Sequence, residues 1–267
     1  MVTTGDLGGM ASKPPAAWKL TIAYDGSGFS GWARQPELRT VQETLEAGIS
    51  KILGGAPVEL TVAGRTDAGV HALGQVASFE LDREPPDRFA SRVNAVLPRD
   101  VSVLACERAP EGFDARRWAV SRRYRYRILT AGQRTPFEEG RALWWPYSLD
   151  RAALDKCAAA IAGEHDFTAF TPTQTEHVRF SRHVLSAAWE RECEAILVLD
   201  ITADAFMRNM IRVLVGTMLE VGGGKRTVKD FTALLKGAPR ERAGETAPPH
   251  GLYFAGVEFG AGATFEH

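Results

Sequence analysis

The strongest constraint on the fold is the order in which hydrophobic periodicity changes along the chain. Trp18, Leu20, Ile22 and Tyr24 alternate with Lys19, Thr21 and Asp25, a period of two that belongs to a strand. Asp25-Gly26-Ser27-Gly28 then turns the chain. Thr40-Val-Gln-Glu43 has the spacing of a capping box, and Val41, Leu45, Ile49 and Ile52 follow at helical intervals up to Gly54-Gly55. Val58, Leu60 and Val62 alternate again, and residues 75–81 predict a further strand. Pro85-Pro86-Asp87 opens a helix that runs to about Val96, where Leu97-Pro98 stops it. Residues 101–107 complete the series as a strand. The order is β-α-β-β-α-β, the ferredoxin-like split unit.

The second half repeats that order without repeating the residues. A strand is expected over 123–129, then a helix capped by Ser148 and stopped by Gly163. Two strands over 184–190 and 196–201 turn at Glu192-Cys193-Glu194. A long helix over 206–221 ends at Gly222-Gly223-Gly224, a short one covers 227–236, and the last strand covers 252–259. The expected class is α+β. Two ferredoxin-like halves, 16–110 and 111–260, share a continuous and mainly antiparallel sheet, with helices on one side and a cleft between the halves. Residues 1–15, rich in Gly, Ala, Ser and Pro, read as a disordered leader, and 261–267 as a tail.

Composition narrows the function classes. Hydrophobic residues make up 45% of the chain, enough for a core and too much for dominant disorder. The longest apolar runs fall far short of the roughly 20 residues of a membrane span, so no membrane association is expected. Formal net charge is −1, so any nucleic-acid partner must meet a local basic patch. Cys106, Cys157 and Cys193 are odd in number and widely spaced, which argues against a disulfide framework or zinc site and for buried or half-buried thiols in a reducing cytoplasm. The six histidines lack metal-ligand spacing, and no metal is expected. Gly222-Gly-Gly-Lys225 follows a helix and lacks the pattern of a phosphate loop.

Three segments could carry chemistry. Gly64-Arg65-Thr66-Asp67-Ala68-Gly69 follows a strand directly, and its glycines allow a tight loop with side chains at unusual positions; a plain turn with an exposed Arg–Asp pair is the alternative. Residues 116–127 hold six arginines, among them Arg116, Arg117 and Arg122, interleaved with Trp118, Tyr124 and Tyr126. On a strand Tyr124 and Tyr126 share one face, and Arg123, Arg125 and Arg127 the other. Guanidinium groups suit phosphates and rings suit unstacked bases; the alternative is a solvated strand face over a tyrosine core. Finally, Arg208 and Arg212 lie one turn apart on an otherwise apolar helix. A buried arginine needs an anion, and Asp67 is one candidate; snorkelling to solvent is the other outcome.

At these segments the sequence resembles the TruA family of tRNA pseudouridine synthases, from about Trp18 to Phe259. The shared motifs are Tyr24-Asp25-Gly26, Phe29-Ser-Gly-Trp32, Thr40-Val-Gln-Glu43, the 63–72 loop, Asn94-Ala-Val-Leu-Pro98, Phe113-Asp-Ala-Arg116, Arg123-Tyr-Arg-Tyr126, Gly163-Glu-His-Asp-Phe167, Met210-Ile-Arg-Val-Leu-Val-Gly216 and Gly251-Leu-Tyr253. Ala33 and Arg117-Trp118 depart from the family pattern. The resemblance implies isomerisation of uridine to pseudouridine at positions 38 to 40 of the tRNA anticodon stem-loop, by a cytoplasmic homodimer without cofactor or metal. It implies that Asp67 is the catalytic aspartate, that Arg65 contacts a flipped nucleotide, that Tyr124 stacks on the target base and that Arg212 is the basic residue of the late helix.

The residue types suit that reaction, which breaks a C–N glycosidic bond and rejoins the uracil through carbon. An ionised carboxylate can attack the anomeric carbon, or act as a base along a glycal route. A neighbouring arginine would favour the ionised form. A non-catalytic RNA-binding protein with two ferredoxin-like modules accounts for the basic aromatic strand but not for Asp67 beside Arg65. An N-glycosidase would share the nucleophile but would admit water.

Overall fold

The computed structural model describes residues 15–175 and 178–260. The expected leader lies outside them except for Pro15, and the expected tail lies wholly outside. The first half runs β1 (Ala16–Tyr24), α1 (Val41–Ile52), β2 (Thr61–Val62), β3 (His71–Leu81), α2 (Phe89–Asn94) and β4 (Val101–Arg108). The second runs β5 (Ala119–Leu129), β6 (Leu143–Trp144), α3 (Arg151–Ala160), β7 (Gly163–Asp166), β8 (Ser181–Arg191), β9 (Ile196–Ala203), α4 (Met210–Gly222), α5 (Val228–Leu234) and β10 (Leu252–Phe259).

One sheet holds all the strands in the order β4-β1-β3-β10-β5-β9-β8-β7, with β2 on β3 and β6 on β5. Each half has the ferredoxin-like arrangement, its fourth strand beside its first and its first beside its third. The halves meet where β10 runs parallel to β3 with only two registered pairs, Tyr253 with His71 and Phe254 with Ala72. The 63–70 loop leads directly into β3 at this seam.

The period-two pattern has the physical outcome it implies. Trp18, Leu20, Ile22 and Tyr24 of β1, and Tyr124, Tyr126 and Ile128 of β5, are buried in one core beneath the helices. The opposite face carries charge. Lys19 pairs with Glu107 at 2.9 Å, and a small second cluster there joins Leu129, Ile196 and Val198. α4 is apolar nearly all round because it is enclosed, packing on α3 and α5 as well as the sheet.

Several boundaries differ from the expected ones. The strand over 58–62 shrinks to Thr61–Val62, because the Leu60 amide donates to the buried Glu46 carboxylate (2.7 Å) instead of to a strand. β3 starts at His71, directly after the loop, rather than at 75. The helix expected from Ser148 is capped by Asp150, whose carboxylate accepts the Ala153 amide at 3.1 Å. Thr40 accepts the Glu43 amide as a cap, and Thr227 with Asp230 forms a full reciprocal capping box. The long helix begins at Met210, not 206, because Asn209 adopts a left-handed backbone (φ 60°, ψ −2°) that no helix can continue through. β7 is polar and shows no alternation, which hides it in the sequence. Cys157 is buried and Cys106 half-buried as expected, whereas Cys193 is exposed at the β8–β9 turn.

Candidate active site

The 63–70 loop is held from below by the residues of two quoted motifs. The Tyr24 hydroxyl lies 2.8 Å from Thr66 Oγ1, and the Trp32 amide donates to the Thr66 carbonyl at 3.0 Å. Burial pushes the Tyr24 hydroxyl pKa up to about 12, so it stays protonated for that contact. The Gln75 amide side chain donates to the Gly64 carbonyl at 2.7 Å. Gly31 sits at φ 96°, and a Cβ there would lie 2.9 Å from the Thr66 carbonyl oxygen. A Cβ on Gly26 would lie 2.0 Å from the Val70 oxygen. These glycines let two backbones touch, so the loop rests on a backbone cradle. The Gly26 amide donates to His71 Nδ1 (3.0 Å) and His71 Nε2–H donates to the His250 carbonyl (3.1 Å). Both ring nitrogens are thereby engaged in the neutral form, and burial holds the pKa of His71 below its ordinary value.

Asp67 stands on this loop with its side chain 34% exposed. The backbone N–H of Asn209, at the entrance to α4, neighbours that carboxylate and favours its ionised form. Arg212, one turn further on, places Nη1 at 4.0 Å from Asp67 Oδ2. The anion expected opposite a buried arginine of this helix is therefore Asp67. Arg212 is held by Nε, which donates to the Ala247 carbonyl (2.7 Å), and by the same Nη1, which donates to Asn209 Oδ1 (2.9 Å). The chain carrying Ala247 reaches α4 because Gly216 has no Cβ, which would lie 1.9 Å from the Glu245 oxygen. Burial pushes the Asp67 pKa above its ordinary value, outweighing Arg212, Arg208 and the Asn209 amide, all of which lower it. The neighbouring positive charges are thus Arg212 and Arg208, not Arg65. Arg65 is exposed on the wall of the same cavity and makes no hydrogen bond or ion pair among the described residues.

The cavity has a volume of about 810 Å3, within the roughly 300–1,000 Å3 of small-molecule sites. Its polar wall includes Arg65, Asp67, Arg116 and Arg208, its apolar wall Val70, Tyr124, Met207 and Leu252. Tyr124 is buried and meets Phe206 and Phe254 edge-on, both at 5.1 Å between ring centroids. Burial pushes its hydroxyl pKa upward, and among the described residues that hydroxyl makes no hydrogen bond. No role for Tyr24, Gly31 or Asn209 was legible in the sequence. The available signals were an unexplained Tyr-Asp-Gly, a Gly-Trp pair and an Asn just before an apolar run.

The basic segment divides into three parts. Arg116 and Arg117 are exposed, and Asp114 accepts their backbone amides (2.8 Å each), while among the described residues neither guanidinium group has a partner. Arg122 has a different setting. Its five N–H donors all bond carbonyls: Ala63 twice, Ala119, Arg116 and Asp204. No donor remains for a phosphate, and the expected RNA-contact role of Arg122 gives way to that of a staple between the halves. Arg123, Arg125 and Arg127 lie on the helix-free face, paired with Asp200, Glu192 and Glu138. Tyr124 and Arg116 therefore face the cavity, and the alternating arginines of β5 do not.

Among the described residues no three His, Cys, Asp or Glu side chains group as metal ligands, and no helix is long and apolar enough to cross a membrane. The sequence profile of a family described as tRNA pseudouridine synthase matches residues 20–116 and 157–260. A Frankia casuarinae protein named tRNA pseudouridine synthase A is 43% identical over 90% of this chain and 88% of its own length. Proteins of the same name from Caldicellulosiruptor bescii and Listeria welshimeri are 40% and 38% identical over 90% and 91% of this chain, each matched over 98% of its own length. A solved archaeal box H/ACA Nop10–Cbf5 complex shares 12% identity at a TM-score of 0.35, over 76% of this chain and 43% of that one.

Proposed function

The chain belongs to the tRNA pseudouridine synthase family, an isomerase family, and from that premise we propose that Asp67 performs the chemistry at uridines 38 to 40 of the tRNA anticodon stem-loop. The observation that carries the assignment is a carboxylate at the cavity wall, 4.0 Å from Arg212. Arg212 and Arg208 favour its ionised form against burial. Ionised, it attacks the anomeric carbon of the target uridine or takes a proton on a glycal route, and either path frees the uracil to turn and rejoin through carbon.

A base inside a stem must leave its stack, at a cost of about a few kcal/mol. Tyr124, edge-packed by two phenylalanines, presents a fixed ring for the extruded base. Arg65, exposed and unpaired at the rim, is free to hold the flipped nucleotide or fill the space it leaves. Arg116 and Arg117 supply phosphate contacts beside the cavity. The same reading has a homodimer acting in the cytoplasm, with tRNA held by local basic patches across both subunits.

Incubating the protein with unmodified tRNA transcripts and mapping pseudouridine tests the reading. Product confined to positions 38 to 40, absent with Asp67→Asn, is expected. Free uracil would point to an N-glycosidase instead, and tight binding without either product to a non-catalytic RNA-binding protein.

A further inference from the structure

Asn209 stands between the members of the charge pair. Its Oδ1 accepts Nη1 of Arg212 at 2.9 Å, and its backbone N–H lies on the Asp67 side, where it favours the ionised carboxylate. Its backbone is left-handed at φ 60°, a conformation shared among non-glycine described residues only with Glu37 and Arg88. An Asn at the entrance of a helix ordinarily caps it with the side chain; Asn209 makes no such bond. Its side chain is turned to Arg212 at the expense of the helix end. Backbone strain and a forgone cap, together beside the reacting group, mark a positioning role.

We propose that Asn209 is a positioning residue for the reaction, which holds Arg212 at charge-pair distance from Asp67 and prevents it from closing into a direct ion pair. The proposal rests on Asp67 being the reacting carboxylate. At 4.0 Å the guanidinium stabilises negative charge but lies beyond hydrogen-bond reach, so it does not cover the oxygen that must attack. Two anchors maintain the gap: the Ala247 carbonyl on Nε, at 2.7 Å, and Asn209 Oδ1 on Nη1. The other charged or titratable groups facing Asp67 are Arg208 from the entrance of α4, Tyr124 from β5, and Arg65 and Arg116 on the cavity wall.

Two substitutions at this position move the carboxylate in opposite directions. Asn209→Gly keeps the left-handed backbone and the amide but removes Oδ1. Arg212 then closes on Asp67, so kcat falls about ten- to a hundredfold with KM for tRNA within about twofold, and the acid limb of the kcat profile moves to lower pH. Asn209→Asp keeps an acceptor for Arg212 but sets a second carboxylate beside Asp67, so the acid limb moves to higher pH. Thermal melts of both variants verify that each is folded. Limbs that stay in place, or that move in the same direction, overturn the proposal whatever happens to kcat. Asp67→Asn in the same assay separates the two readings. If it still turns over tRNA, the assignment of Asp67 fails. If it is inactive while the Asn209 limbs do not diverge, only the proposal for Asn209 fails.

Discussion

Replacing Arg122 by Ala removes five hydrogen bonds at once and tests whether this arginine holds the protein together or holds RNA. Four of the five bonds, those to Ala63 (two), Ala119 and Asp204, are partly buried; the fifth, to Arg116, is exposed. Water replaces the exposed one at little cost. The other three carbonyls lose a charged donor in a place where water enters poorly, at about 1 kcal/mol each. The expected destabilisation is about 3 kcal/mol. For a chain of this size that corresponds to a fall in Tm of roughly 6–12 °C. The bonds link Ala63, which leads into the Asp67 loop, to Asp204 beyond β9, so activity at permissive temperature falls as well. Denaturant unfolding gives the stability, and tRNA affinity at several salt concentrations gives the phosphate count. The salt slope stays at its wild-type value, because no donor faces a phosphate. A Tm within about 2 °C of wild type, together with a slope reduced by about one, would show Arg122 to be a phosphate contact and refute the staple. Replacing only Arg116 and Arg117 is the complementary experiment, which lowers the slope and leaves Tm unchanged.

Asp67→Asn abolishes pseudouridine formation, by many orders of magnitude for a lost nucleophile, and turnover within about tenfold of wild type would refute the role. The same variant melts no lower than wild type at neutral pH. A folded-state pKa raised by burial means that the ionised carboxylate costs stability once pH rises through that value, and Asn removes the cost. For the same reason the acid limb of wild-type activity lies above the ordinary aspartate value, with activity lost as pH falls through it; a limb at or below the usual aspartate value of about 3.9 contradicts the burial argument. Gly31→Ala, at φ 96° and 2.9 Å from the Thr66 oxygen, displaces the loop and lowers kcat about ten- to a hundredfold at unchanged tRNA affinity, and wild-type kcat would mean the cradle does not position Asp67. Tyr124→Phe retains most turnover and Tyr124→Leu loses it, since the ring is packed on two sides and the hydroxyl is unpartnered; equal losses would give the hydroxyl a part in proton transfer.

The sequence alone determined the doubled ferredoxin-like order, because strands and helices write different periods into their apolar residues and the second half repeats those periods without repeating residues. It also singled out Asp67, since a carboxylate among glycines directly after a strand is visible locally, and it named Asp67 as one anion for Arg212. What it could not decide was which arginines meet the cavity. Arg116, Arg122 and Arg123 lie within eight residues of one another, yet the first lines the cavity, the second is bound to backbone carbonyls of both halves and the third faces away with Asp200. That division depends on where β5 lies between β10 and β9, and on which carbonyls come within reach of each guanidinium. The same holds for Asn209 and Gly31. Their effect comes from contacts with a loop 142 and 36 residues away from them in sequence, at Asp67. Periodicity is a local property of the chain. The partner of a buried charge is set by which distant segments the sheet order brings together, and only the tertiary structure decides that.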